Sequence, residues 1–165
     1  MEFDRMVEAK DYQALKACGE KMKEILNDLD KLNAFHPYCS LDKWMDDARK
    51  MGDSPRLKDY YEKNARNLIT TWGGSLNDYA SRSWAGLISD YYAKRWEVYI
   101  NTFINAAEKG VEVDQQQLED ELKEIEAGWV NATDRKNIRK DVHSTNDGLL
   151  SFSTFLFSKY QRLVK

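Results

Sequence analysis

Apolar residues recur every three or four positions along most of this chain, and the places where that rhythm stops are as informative as the stretches where it runs. From Tyr12 to Leu32, the residues Leu15, Cys18, Met22, Ile25, Leu29 and Leu32 form one stripe of a long amphipathic helix. The stripe ends near Pro37. A second, shorter helix is predicted from Ser40, with Leu41, Trp44, Met45 and Ala48 on one face and Gly52 as its end. Ser54 and Pro55 read as the N-cap and first residue of a third helix, because proline lacks only an N–H that would go unpaired there. That helix is expected to run to about Thr71.

Trp72-Gly73-Gly74-Ser75 then breaks the pattern. A helical period resumes from near Leu76 through Trp84, Leu87, Ile88, Tyr91, Tyr99, Ile100, Phe103 and Ile104 to Gly110, with a kink expected near Tyr92. Asp114 with Gln117 resembles a capping box, and Leu118, Leu122, Ile125 and Trp129 follow on a fifth helix. Between Val130 and Asn146 the chain is polar and aperiodic, before Leu149, Phe152, Phe155, Leu156, Tyr160 and Leu163 supply a last helix. No stretch alternates convincingly as a strand. The pattern predicts a single all-α domain over residues 1–165, an irregular bundle of about five to seven helices.

Composition narrows what such a bundle does. With 165 residues the chain buries a core without needing disulfides or metal. Its 28 acidic and 25 basic residues are mixed along the whole length, so no basic face is expected for a nucleic acid. The first residues, MEFDRMVEAKDYQ, lack the apolar core of a secretory signal, and no window is apolar enough to span a bilayer. Cys18 and Cys39 have no metal-ligand spacing and read as small hydrophobes. His36 and His143 are too far apart in sequence to complete a zinc set, and no cofactor is expected.

Candidate chemistry gathers in one place. The stretch from Asn64 to Trp96, NARNLITTWGGSLNDYASRSWAGLISDYYAKRW, holds six aromatic residues and a glycine pair. Gly73-Gly74 is followed by no Lys and preceded by no strand, so it is not a phosphate loop. Two scattered histidines support no Ser-His-acid arrangement. Glu62, Lys63, Glu97, Glu121 and Glu124 are expected as solvated surface, Asp78 as a helix cap, and Asp90 as the partner of Arg95. What survives is a constellation of Arg66, Trp72, Trp84, Tyr91, Tyr92, Arg95 and Trp96, either an aromatic core or a sugar-stacking wall. Core packing is the expected role of Trp84, Tyr91 and Trp96, while Trp72, at the helix break, is placed to face a ligand or a second domain.

The succession Asn64-Ala65-Arg66, Ile69-Thr70-Thr71-Trp72-Gly73, Leu76-Asn77-Asp78-Tyr79-Ala80, Trp84-Ala85-Gly86-Leu87, Asp90-Tyr91-Tyr92 and Arg95-Trp96 closely resembles the C-terminal helical domain of the alpha-N-acetylglucosaminidase family. Asp28-Leu29-Asp30, Trp44 and Asp47-Ala48-Arg49 look like the preceding helices of the same domain, so the likeness covers roughly residues 10 to 110. Two departures stand out. Lys94 replaces an expected proline before Arg95-Trp96, and Ala34-Phe35-His36 replaces a more usual Ala-Thr-Arg-like run.

The resemblance implies a part of a larger enzyme, built from a small α/β domain, a central (β/α)₈ barrel and this helical domain. Members of the family are retaining, exo-acting hydrolases of terminal alpha-linked N-acetylglucosamine, with two catalytic glutamates in the barrel and none in this chain. The implied partners are that barrel and the glycan, with no nucleic acid and no membrane span. The implied location is periplasmic or extracellular in a bacterium and lysosomal in an animal. Trp72 carries over as a residue lining the substrate cleft, with Arg66 and Tyr92 as further candidates. Two other readings stay open: an independent helical carbohydrate-binding module, and a helical protein-interaction module without a catalytic role.

Overall fold

The computed structural model describes residues 2–133 and 146–163. The polar stretch 134–145, with His143, lies outside the described residues. Seven α-helices stand among those described: α1 (Glu2–Ala9), α2 (Tyr12–Asn33), α3 (Leu41–Lys50), α4 (Pro55–Ile69), α5 (Ala93–Lys109), α6 (Gln115–Asn131) and α7 (Asn146–Tyr160). A 3₁₀ turn (Pro37–Cys39) precedes α3, and a π-turn (Ile88–Tyr92) leads into α5. The all-α expectation holds. Among the described residues the one sheet-like feature is a single parallel bridge between Ser40 and Ala85.

Caps fall where local sequence puts them. The side chains of Asp11, Ser54 and Asp114 accept the backbone N–H of Ala14, Leu57 and Gln117, satisfying donors that the first helical turn leaves unpaired. Gln117 does not return the bond to Asp114, so only half of the expected capping box forms; its amide donates to Glu121 instead. The eight-residue α1 was not expected from the pattern. It is too short to declare a period alone and is secured by Phe3, which packs with Leu15 of α2 and Ile100 of α5. Met6, Val7, Cys18, Met22, Tyr99, Phe103 and Ile104 surround that cluster.

A second core lies between α3, α4, α6 and the π-turn, where Leu41, Met45, Ala65, Ile69, Leu87, Tyr91, Trp129 and Val130 are buried together. Trp84 is half-buried against it, its ring 5.7 Å from that of Trp44. At the other side α7 docks on α2. Lys159 reaches Asp28 at 2.5 Å and Glu24 at 2.6 Å, the Tyr160 hydroxyl donates to Asp28 at 2.7 Å, and Phe152 meets Phe35 with ring centroids 5.7 Å apart.

The expected helix from Leu76 through Trp84 does not exist. Residues 70–86 form an irregular segment in which Leu76, Asp78 and Ser81 adopt left-handed backbone angles, φ 59°, 46° and 44°. The apolar spacing of Leu76, Ala80 and Trp84 mimics a helical period, but tertiary bonds dictate the path. Helix resumes only at Leu87, and its cap comes from another element: Asp30 of α2 accepts the N–H of Gly86 at 2.8 Å and of Ser89 at 3.0 Å. Gly86 has φ 86°, and a Cβ there would sit 3.2 Å from the Cβ of Leu41. The kink expected near Tyr92 takes the form of the π-turn that ends at that residue.

Candidate functional site

The irregular segment places two aromatic rings at the surface. Trp72 is 54% exposed and Tyr79 58% exposed, and their rings meet edge to face, 4.5 Å between centroids at 88°. Backbone bonds fix both. The Trp72 N–H donates to the carbonyl of Asn67 at 2.9 Å and the Tyr79 N–H to that of Thr70 at 3.3 Å, closing the segment on the end of α4. Thr70 is itself buried and returns its hydroxyl to the Arg66 carbonyl at 2.8 Å. A rigid, exposed aromatic corner of this kind stacks well on the C–H face of a sugar.

Behind the corner lies a buried network. Glu126 of α6 is 1% exposed; its carboxylate accepts the Leu76 N–H at 2.9 Å and the Tyr91 hydroxyl at 2.6 Å. Arg95 donates through one nitrogen to both oxygens of Asp78, at 2.6 and 2.8 Å, and to the Tyr91 oxygen at 3.1 Å. Burial pushes the Tyr91 phenol far above its ordinary pKa and the bond to Glu126 adds to this, so the hydroxyl stays protonated as donor. Burial works against the charge on Arg95, but Tyr91, Asp78 and Glu126 more than offset it. The guanidinium remains charged.

The expected residues therefore divide. Trp72 is at the surface, as its place at the break suggests. Arg66 is buried rather than set in a cleft: it donates to Glu62 at 2.7 and 3.1 Å and to the Trp129 carbonyl at 3.2 Å, and its guanidinium lies 4.6 Å from the Trp129 ring centre. Glu62, expected as solvated surface, is fully buried, holding Arg66 and also Arg49 at 2.7 Å. Spacing carries the signal in hindsight, since Glu62, Ala65, Arg66 and Ile69 share one helical face. Tyr91 is fully buried and Trp84 partly so, but Trp96 is 40% exposed instead of in the core.

Tyr91 and Trp96 are five residues apart, as are Asp90 and Arg95, and such pairs point to different sides of a helix. The ion pair expected between Asp90 and Arg95 is accordingly not made. Arg95 takes Asp78 from the irregular segment, and Asp78 caps no helix. Tyr92 is half-buried and lines a hollow of about 300 Å³ with Asp78, Arg95, Trp96, Tyr99 and Leu122. Its hydroxyl oxygen and the Nε of Arg95 are buried with no hydrogen-bond partner among the described residues.

Sequence reading missed Tyr79 as the second ring of the corner, and Glu126 and Asp30 as buried anchors. For Glu126 a signal existed, because it lies four residues beyond Leu122 and so on the apolar face of α6. For Asp30 there is none in its own helix; its partners are 56 and 59 residues away. Among the described residues no three His, Cys, Asp or Glu side chains are grouped to hold a metal, and no helix is long and apolar enough to cross a membrane.

Residues 1–152 match the family model of the alpha-N-acetylglucosaminidase C-terminal domain. Human alpha-N-acetylglucosaminidase is 31% identical over 123 residues, which are 73% of this chain and 17% of that protein. A family 89 glycoside hydrolase from Clostridium perfringens, solved in complex with PUGNAc, superposes on 96% of this chain with a TM-score of 0.78 and 26% identity, using 18% of its own length. The chain thus spans less than a fifth of either relative. On sequence match and shared fold alike, this chain belongs to the family of alpha-N-acetylglucosaminidase C-terminal domains.

Proposed function

We propose that this chain serves as the C-terminal accessory domain of a retaining, exo-acting alpha-N-acetylglucosaminidase, packing on a catalytic barrel of the same polypeptide and lining one side of the substrate cleft with Trp72 and Tyr79. The observation that carries the reading is the exposed edge-to-face pair, 4.5 Å apart, on a segment held by buried bonds. An aromatic corner costs solubility unless something covers it, and a terminal sugar presented by a neighbouring domain is well suited to do so. The two most deeply buried glutamates, Glu62 and Glu126, are engaged with arginine or tyrosine and the backbone, so neither is placed to work on a glycosidic bond. Catalysis is assigned to carboxylates of the barrel. An enzyme of this class acts outside the cytoplasm, in a periplasm, an extracellular space or a lysosome.

The test is Trp72→Ala in the whole enzyme, assayed on a chromogenic N-acetyl-α-glucosaminide alongside thermal unfolding. A loss of kcat/KM of about ten-fold or more, with unfolding temperature unchanged, is expected when a cleft wall is removed. Unchanged kinetics would remove Trp72 from the cleft.

The hollow beside Trp96 favours a second reading, sugar binding by the chain in its own right, since a partly exposed indole and buried polar atoms flank a space at the small end of ligand pockets. Titration of the 165-residue chain with N-acetylglucosamine, followed at Trp96 and Tyr92 by NMR, decides it. Absence of shifts at millimolar sugar would dismiss this reading.

A further inference from the structure

The segment carrying Trp72 and Tyr79 is closed on the end of α4 but belongs to no helix or sheet itself. Three of its non-glycine residues, Leu76, Asp78 and Ser81, sit in the left-handed region, where each costs on the order of 1 kcal/mol. Such a path persists only when its surroundings over-determine it. Two anchors reach it from behind, the Glu126 carboxylate on the Leu76 N–H and the Arg95 guanidinium on both oxygens of Asp78. They converge, because Tyr91 donates to Glu126 and accepts from Arg95.

We propose that Glu126 of α6 is a positioning residue for the substrate-facing pair, fixing Leu76 directly and Asp78, the neighbour of Tyr79, through Tyr91 and Arg95. This rests on the cleft role proposed for Trp72. Glu126 is buried and reaches no substrate, so any effect on turnover passes through the segment it holds. Glu62 supplies the matched control: it is an equally buried carboxylate, tied to Arg49 and Arg66, and none of its hydrogen bonds goes to residues 70–86.

The experiment compares Glu126→Gln and Glu62→Gln in the whole enzyme, each alone and combined with Trp72→Ala. Glutamine keeps the shape of the side chain but replaces one carboxylate oxygen by an NH₂ donor and removes the charge 3.6 Å from Arg95, so the bonds donated by Leu76 and Tyr91 cannot both be kept as they are. Glu126→Gln is expected to lower kcat/KM about ten-fold, chiefly through KM, and Glu62→Gln to leave it within about two-fold. In the Trp72→Ala background the Glu126→Gln loss should shrink, because only Tyr79 of the pair is left to position. Equal losses from both glutamine variants, or an undiminished loss without Trp72, would overturn the proposal.

Amide hydrogen exchange gives a readout independent of turnover. The Leu76 and Tyr79 amides should exchange about ten-fold faster in Glu126→Gln while Leu15 stays protected. If Trp72→Ala leaves turnover intact, the cleft reading fails by itself, and the exchange result then decides whether Glu126 holds the segment. Unchanged exchange at Leu76 overturns that too.

Discussion

Where α1, α2 and α5 meet, Phe3, Leu15 and Ile100 pack with Met6, Met22, Tyr99 and Phe103, and the stripes that predict α2 and α5 are the stripes that touch their neighbours. Where α4, α6 and residues 70–92 meet, the apolar cluster is interleaved with Glu62, Arg66, Asp78, Arg95 and Glu126, and the chain path follows the charges. The first region has regular geometry with no evident chemical use. The second has irregular geometry and carries the exposed rings. Buried ion pairs contribute little net stability against an apolar substitute, but they fix one arrangement among many, which is what a segment without secondary structure requires.

The contrast predicts different failures. Glu62→Ala should be the most damaging single change, because it leaves Arg66 buried without its counter-charge; a loss of about 3–5 kcal/mol is expected in denaturant unfolding. In the regular region a lost carbon is what hurts. Leu15→Ala should remove about 3 kcal/mol by opening a cavity among Phe3 and Ile100, with no effect on turnover of the whole enzyme. Gly86→Ala should cost about 1–2 kcal/mol, through its positive φ and the nearby Leu41, and should loosen the start of α5. Trp72→Ala should cost less than about 1 kcal/mol, since only its edge contact with Tyr79 is lost.

The smallest and most local effect is acidification. Burial alone would raise the Asp28 pKa, but hydrogen bonds from Lys159 and Tyr160 bring it below its ordinary 3.8. The carboxylate is thus depressed in the fold, so its stabilisation is complete above pH 3.8 and fades as the pH drops through the folded value. Protection factors across α7 should fall below that pH while those of α2 and α5 persist. Uniform loss in all three helices would show that the α7 contact is not a separable unit.

How much could be read from the sequence follows the same division. Helices α2 to α6 announced themselves through stripes and caps, because Leu15, Ser54 and Asp114 act on residues a turn or two away. The Trp72-Gly73 break was legible for the same local reason. The path of residues 76–84 was not, because Asp78 answers to Arg95 and Leu76 to Glu126, 17 and 50 residues distant. Arg66 illustrates the error in reverse. An arginine among aromatics reads as a ligand contact, but its neighbour one turn back, Glu62, was already its partner inside the fold. Trp96 reads as core only by its apolar ring, since a spacing of five from Tyr91 does not share a helical face.

That π-turn has one more consequence. Five residues per hydrogen-bonded ring insert about one extra residue, so everything from Ala93 onward is set back by roughly 100° from the phase that an unbroken α-helix begun at Leu87 would have. Leu87 and Ile100 lie on the same rod on either side of the turn, one in the buried cluster of α3, α4 and α6 and the other in the apolar cluster of α1 and α2. Deleting a single residue between Ile88 and Tyr92 would restore a uniform helix and rotate one of those faces against the other by that angle, so that no rotation of the whole rod could satisfy both. The extra residue works as a phase shifter, letting one helix serve two regions whose demands are out of step.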